Sequence, residues 1–181
     1  GKGKERKTEI RIFDDIVASK VAMKNAKLYV NREEGFVGTS LKRDAFVADC
    51  SDIDDIIVFR KDGKMSVTKV DAKTFVGKDI IYVAVFKKKD KRTVYNFMYR
   101  DGAKGPSYMK RFNVTSVTRD KEYDLSNGTK GSIVHYFSAN LNGEAEVVTI
   151  NLRATGSVKK MKWDIDFADL AVKGRAVRGN T

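Results

Sequence analysis

Along most of the chain apolar and polar residues alternate with a period of two, in short runs rich in Val, Ile, Phe and Tyr, and Gly, Asn or Asp separates one run from the next. Each run predicts a β-strand: KLYVN (27–31), AFVADC (45–50), DIIVFR (55–60), KMSVTKV (64–70), DIIYVAVF (79–86), TVYNFMYR (93–100), SYMKRFNV (107–114), SIVHYFSA (132–139) and AEVVTINL (145–152). Helical spacing is scarce. Ile12, Ile16 and Val17 fit a helix over 12–23, but EIRIF beside them alternates, so that stretch suits either element; FADLA (167–171) predicts one helical turn. One proline, Pro106, and no Ser/Gly-rich linker break the pattern, so a single unit over 11–181 is expected behind a basic tail at 1–10.

The runs recur in a fixed order. DDIIVFRKDGKMSVTKV (54–70), RTVYNFMYRDGAKGPSYMKRFNV (92–114) and AEVVTINLRATGSVKKMKWDIDF (145–167) are each an apolar strand, a polar turn with glycine and a lysine-bearing strand. The first two continue through a glycine loop to a further apolar strand, FVGKDIIYVAVF (75–86) and GTKGSIVHYFSA (128–139), and KLYVNREEGFVGTSLKRDAFVADC (27–50) is a shorter copy. Approximate repeats therefore run over 27–50, 51–90, 91–143 and 144–181, close to the roughly 40 to 50 residues of a four-stranded propeller blade. The extra length at 113–128 reads as a loop insertion or an extended hairpin. A sandwich or barrel would also supply alternating strands; the constant order favours a blade array, truncated in its last blade.

Charge narrows the partners. The formal net charge is +12, and the cations cluster as Lys87-Lys88-Lys89-Asp90-Lys91-Arg92, Lys110-Arg111 and Lys159-Lys160-Met161-Lys162, at what the repeats suggest are comparable blade positions around one rim. Such a field attracts a polyanion, a partner that presents phosphate or anionic lipid, with an acidic protein bound by a propeller-type interaction module as the alternative. No apolar run is long enough to cross a bilayer and GKGKERKTEIRIF lacks the core of a secretory signal, which points to the cytoplasm and away from membranes. One cysteine, Cys50, and one histidine, His135, offer neither an internal disulfide nor a zinc site, and the spacing of Asp52, Asp54 and Asp55 suits a turn better than a metal loop. No nucleophile, base and acid combine in one pattern, and no glycine loop has nucleotide-binding spacing.

LYVNREEGFVGT (28–39), DIDDIIVFRKDGKMSVTKV (52–70), FVGKDIIYVAVFKKKD (75–90) and DLAVKGRAVRGN (169–180) resemble the C-terminal DNA-wrapping domain of the A subunit of bacterial type IIA topoisomerases, DNA gyrase and topoisomerase IV. The likeness runs from about Thr8 onward. It implies an all-β pinwheel, a propeller-like disc of four-stranded blades that exchange one strand with a neighbour and bend DNA around a basic rim without sequence preference. It also implies a non-catalytic, nucleoid-associated domain without a cofactor or metal of its own. ATP and Mg2+ would act on other domains of the parent enzyme, and the partners would be duplex DNA, the remainder of the A subunit, and the ATPase B subunit reached through it. Phosphate contacts then fall to Lys87, Lys88, Lys89, Lys91, Arg92, Lys110, Arg111, Lys159, Lys160, Lys162, Lys173, Arg175 and Arg178. Gyrase A subunits carry a glutamine-led box rich in arginine and glycine. In KGRAVRGN (173–180) Lys173, Gly174, Arg175, Arg178 and Gly179 fit that box, but the leading glutamine is absent and Ala176-Val177 interrupts it, which favours topoisomerase IV. The strand-cleaving tyrosine of the parent enzymes sits beside an arginine in another domain; here Tyr99 stands before Arg100 within a predicted strand, which is not that setting, so the resemblance implies no catalytic role for it.

Overall fold

The computed structural model describes residues 24–153, 156 and 162–181; the tail at 1–10, the ambiguous stretch at 12–23, and Lys159 and Lys160 lie outside the described residues. Among the described residues every regular element is a strand apart from two short 3-10 turns. The strands are β1 (Ala26–Asn31), β2 (Phe36–Gly38), β3 (Ala45–Cys50), β4 (Asp55–Arg60), β5 (Lys64–Lys69), β6 (Thr74–Phe75), β7 (Ile80–Phe86), β8 (Val94–Arg100), β9 (Ser107–Asn113), β10 (Glu122–Asp124), β11 (Ile133–Asn140), β12 (Val147–Asn151), β13 (Lys162–Asp166) and β14 (Val172–Gly174).

Three sheets of four strands repeat one order: β3-β1-β2-β6, β7-β4-β5-β10 and β11-β8-β9-β14, with β12 and β13 forming a two-stranded sheet. In each four-stranded sheet the outer strand comes from the next unit along the chain. β6 pairs with β2 through Phe36 and Phe75, and β10 pairs with β5 through Tyr123 and Met65, both antiparallel. β14 runs parallel to β9, with Val172 opposite Arg111, before the chain turns back and pairs Met109 with Asn180 in antiparallel fashion. The molecule is thus a β-pinwheel. The stretch at 113–128 is no extended hairpin: it carries β10, whose edge hydrogen bonds go to the blade before it.

Packing explains why β4 reads as a continuous apolar run. A strand between two blades is buried on both faces, so alternation gives way to unbroken hydrophobicity. Ile56 and Val58 face the first blade's Leu28, Val30, Val37 and Cys50. Ile57 and Phe59 face the third blade's Tyr95, Phe97, Tyr99 and Phe112. Removing a ring such as Phe59, 1% exposed, should cost about 3 to 5 kcal/mol.

Two features sharpen the seams. The loop after β6 approaches the β1–β2 turn so closely that a Cβ on Gly35, at φ 84°, would stand 2.3 Å from the carbonyl carbon of Gly77. The helical turn expected in FADLA is a 3-10 turn over Phe167–Asp169, started by the Asp166 carboxylate accepting from the Ala168 amide at 2.9 Å.

Candidate nucleic-acid interface

Register sorts the connections to two ends of the blades. The turns β1–β2 and β4–β5 share one end with the loops that follow β6 and β10, where the Val76 amide donates to Gly35 and Leu125 to Gly63, each at 2.8 Å, and the β8–β9 turn joins this end through the Gly102 amide donating to the Ser132 hydroxyl at 2.9 Å. At the other end the inter-blade connections meet the loops leading into the exchanged strands: Val70 donates to Asp54, Lys89 to Thr115 and Phe167 to Glu146, each at 3.0 Å.

The loop from β7 to β8 lies at this second end. Lys87, Lys88, Lys89, Lys91 and Arg92 are all exposed. The turn that displays them is made by an acid: the Arg92 amide donates to one Asp90 carboxylate oxygen and the Thr93 hydroxyl to the other, both at 2.8 Å. These bonds, the Arg92 amide first, hold the Asp90 carboxyl below the usual range. Lys89 adopts φ 63° within the turn. Arg92 stands 4.0 Å from Asp90; among the described residues Lys87, Lys88, Lys89 and Lys91 form no ion pair, so their charge is open to a partner.

Lys110 and Arg111 are a different case and correct the expectation of surface contacts. They are 4% and 8% exposed. The Lys110 ammonium donates to the carbonyls of Leu125, Arg175 and Val177 at 2.5, 2.7 and 3.0 Å. It sits over the rings of Phe112, Phe97 and Tyr99 at 5.2, 5.6 and 5.8 Å. Burial lowers its pKa to about 8 against the opposing pull of Asp124. Arg111 reaches the other side of β9, where it donates to the Asn96 side chain at 3.1 Å and to the carbonyls of Gly143 and Leu170 at 2.6 and 3.4 Å. Both cations fasten main chain. The alternation itself held this signal, for in SYMKRFNV the lysine shares its side of the strand with Tyr108 and Phe112.

The box-like loop closes over that lysine. Lys173 and Arg178 are exposed and Arg175 is half-buried. The Arg175 guanidinium lies 4.3 Å from the Tyr123 ring and that of Arg178 lies 5.7 Å from the Tyr108 ring. Gly179, at φ 101°, lies so near β9 that a Cβ would stand 2.6 Å from the Met109 carbonyl oxygen. Lys162 is exposed at the first position of β13, opposite Asn151. The cation clusters therefore do not occupy comparable blade positions: Lys87–Arg92 form an inter-blade loop, Lys110–Arg111 lie inside a strand, and Lys162 opens a strand at the hairpin end.

A further set of exposed cations was not legible as a cluster in the sequence, namely Arg32, Lys61, Lys78, Lys104 and Lys130. All stand in turns of the hairpin end, each within three residues of a glycine, and that proximity was the signal available. Tyr99 is fully buried, with its hydroxyl donating to the Arg178 carbonyl. Burial, then the nearby Asp101, push that phenol up to about 12, so it is no exposed nucleophile.

Residues 27–181 match the family described as the topoisomerase C-terminal domain, Bacteroidota. The chain is 32% identical over 122 residues to the A subunit of DNA topoisomerase 4 from Borreliella burgdorferi; the matched region is 67% of this chain and 19% of that relative's length. No solved structure matches it.

Proposed function

The chain belongs to the topoisomerase C-terminal domain family, and from that premise we propose that it binds duplex DNA, bends it along its basic surface and presents the bent segment to the core of a type IIA topoisomerase. The observation that carries this reading is the loop of Lys87, Lys88, Lys89, Lys91 and Arg92, exposed and held by its own backbone and Asp90. Phosphate binding needs cations that are not already neutralised, and an ordered turn limits the entropy lost when they engage. Lys162, Lys173, Arg175 and Arg178, and the turn cations Arg32, Lys61, Lys78, Lys104 and Lys130, extend the positive surface to other parts of the blades. Contacts of this kind read charge and groove spacing rather than base edges, so the predicted preference is for bendable rather than particular sequence.

Within the family, we place the chain in the A subunit of a topoisomerase IV. Two observations support this: the relative's name, that of a topoisomerase 4 component, and a box-like loop without its leading glutamine and with Ala176-Val177 inside it. The protein partners that follow are the remainder of the A subunit, with the ATPase B subunit beyond it, in the bacterial cytoplasm at the nucleoid.

Fluorescence anisotropy with a short duplex at several salt concentrations tests the proposal. Engagement of six to ten phosphates predicts an affinity that falls by about a thousandfold or more between about 50 and 200 mM salt. The triple change K87E/K88E/K89E should weaken binding at least tenfold, to a similar degree on unrelated sequences. Absence of binding by the unaltered chain at low salt would overturn the DNA reading. Supercoiling rather than decatenation by the parent enzyme would overturn the assignment to topoisomerase IV.

A further inference from the structure

β9 carries a lysine where the fold calls for an apolar side chain. In the second blade the corresponding strand, β5, presents Met65 and Val67 to the core, each 1% exposed, whereas the third blade presents Tyr108, Lys110 and Phe112. An ammonium among aromatic rings is unfavourable unless each of its protons finds an acceptor. Here the three protons match three carbonyls, and those acceptors come from two places: Leu125 follows β10, while Arg175 and Val177 follow β14. One side chain thus ties together the loops behind two successive exchanged strands.

We infer that Lys110 is a positioning residue for the loop at 173–180, fixing its main chain so that the Arg175 and Arg178 guanidiniums are set for phosphate, without itself touching DNA. The inference rests on the DNA-binding reading above. Within the loop the main chain supplies the bond from the Val177 amide to Gly174 at 3.2 Å, and the farther anchor is the reciprocal pair between Met109 and Asn180 at 2.7 and 2.8 Å. Between these points the carbonyls of Arg175 and Val177 are held by Lys110, and that of Arg178 by the Tyr99 hydroxyl. The three carbonyls are the acceptors of buried donors, so the arginine side chains are left to project from a fixed backbone rather than to build it. Arg175 packs on Tyr123 and Arg178 near Tyr108, which further restricts where the two charges stand. A methionine at 110 would fill much the same volume and leave the carbonyls of Leu125, Arg175 and Val177 without their donor.

The test uses the 181-residue chain in three forms: unaltered, K110M and, as a milder change, Y99F, which removes a single hydroxyl and with it the bond to Arg178 and a longer one to the Asn127 side chain. Hydrogen exchange read peptide by peptide reports the loop, anisotropy reports DNA, and far-UV circular dichroism reports the fold. Faster exchange confined to 173–180 is expected in both variants, with DNA affinity lowered about tenfold in K110M and about threefold in Y99F. The slope of affinity against salt should also fall by about 1 to 2, the signature of one or two lost phosphate contacts at roughly 0.9 each. General destabilisation would lower the active fraction and leave that slope unchanged. Unchanged exchange at 173–180, or faster exchange with unaltered affinity and slope, overturns the inference. If K110M does not fold, K110Q, which keeps a donor but cannot satisfy the carbonyls of Leu125, Arg175 and Val177 together, replaces it and is read by the same outcomes, while Y99F reports the Arg178 anchor alone. If the unaltered chain binds no DNA, the functional reading fails, while the exchange result still reports whether the clamp exists.

Discussion

Neighbouring cations on β9 face opposite ways, and their chemistry differs. Lysine can shed its proton and arginine cannot. The Lys110 pKa of about 8 lies below the ordinary 10.5, so the folded chain releases this proton before the unfolded chain does. Below pH 8 both states are protonated and the cost of burying the charge is fully present. Between pH 8 and 10.5 the unfolded state holds the extra proton, so stability rises with pH, by about 3 kcal/mol for a fall of that size. Urea unfolding of the unaltered chain and of K110M across this range isolates the effect: their difference should shift with rising pH in favour of the unaltered chain, and a constant difference contradicts it. R111M leaves the Asn96 side chain and the Gly143 and Leu170 carbonyls without their donor, an expected loss of about 2 to 3 kcal/mol, measurable by the same urea unfolding. At this scale alternation was a good guide to Phe59 and Phe97, which are buried as their runs suggested. It misled where a charge was taken as proof of exposure, because sequence gives a side chain's charge directly but its side of the strand only through its neighbours.

Among elements, the long strands were legible and the exchanged ones were not. β4, β5 and β8 match their apolar runs to within a residue or so, but β6 and β10 have two and three residues, too few for any period to declare. Contacts from distant sequence make them strands. Arg60 pairs with Glu122 at 2.9 Å, Lys64 with the other oxygen of Glu122 at 2.9 Å, and Arg119 with the mostly buried Asp55 at 2.7 Å, while the Asp120 amide donates to Val67. Glu122 is about half exposed, so solvent screens its two pairs. E122Q is expected to cost about 0.5 to 1 kcal/mol and to speed hydrogen exchange chiefly at 120–125. The seam at Gly35 is less forgiving. G35A adds a methyl at positive φ and against the Gly77 main chain, and should lower stability by about 2 kcal/mol or more, read as a depressed thermal midpoint. Glycine in the turn was readable; the second backbone pressed against it was not, because that neighbour lies in another unit.

For the whole molecule the net charge of +12 was legible and its distribution was not. Lys87–Arg92 stand at the inter-blade end, whereas Arg178 packs near Tyr108 toward the hairpin end of the next blade, with Arg175 just beyond β14, whose last residue lies opposite Asn113, so a polyanion touching both Lys87–Arg92 and Arg178 must run across the edge of the sheets. If the two groups act as separate contacts on one DNA path, the losses from K87E/K88E/K89E and from R175E/R178E should add within about 0.5 kcal/mol when the five changes are combined, as anisotropy would show. Strong departure from additivity would mean that the two groups engage different duplexes. The strand exchange has a consequence of another kind. Because each four-stranded sheet borrows its outer strand from the following unit, the segment that folds together differs from the segment that a gene duplication would copy. Inserting or deleting one whole unit in the interior still gives every blade its borrowed strand, since each donor simply serves a new predecessor. Such an array can change its size by inheritance without passing through an ancestor with a bare sheet edge, and only its two ends need special treatment.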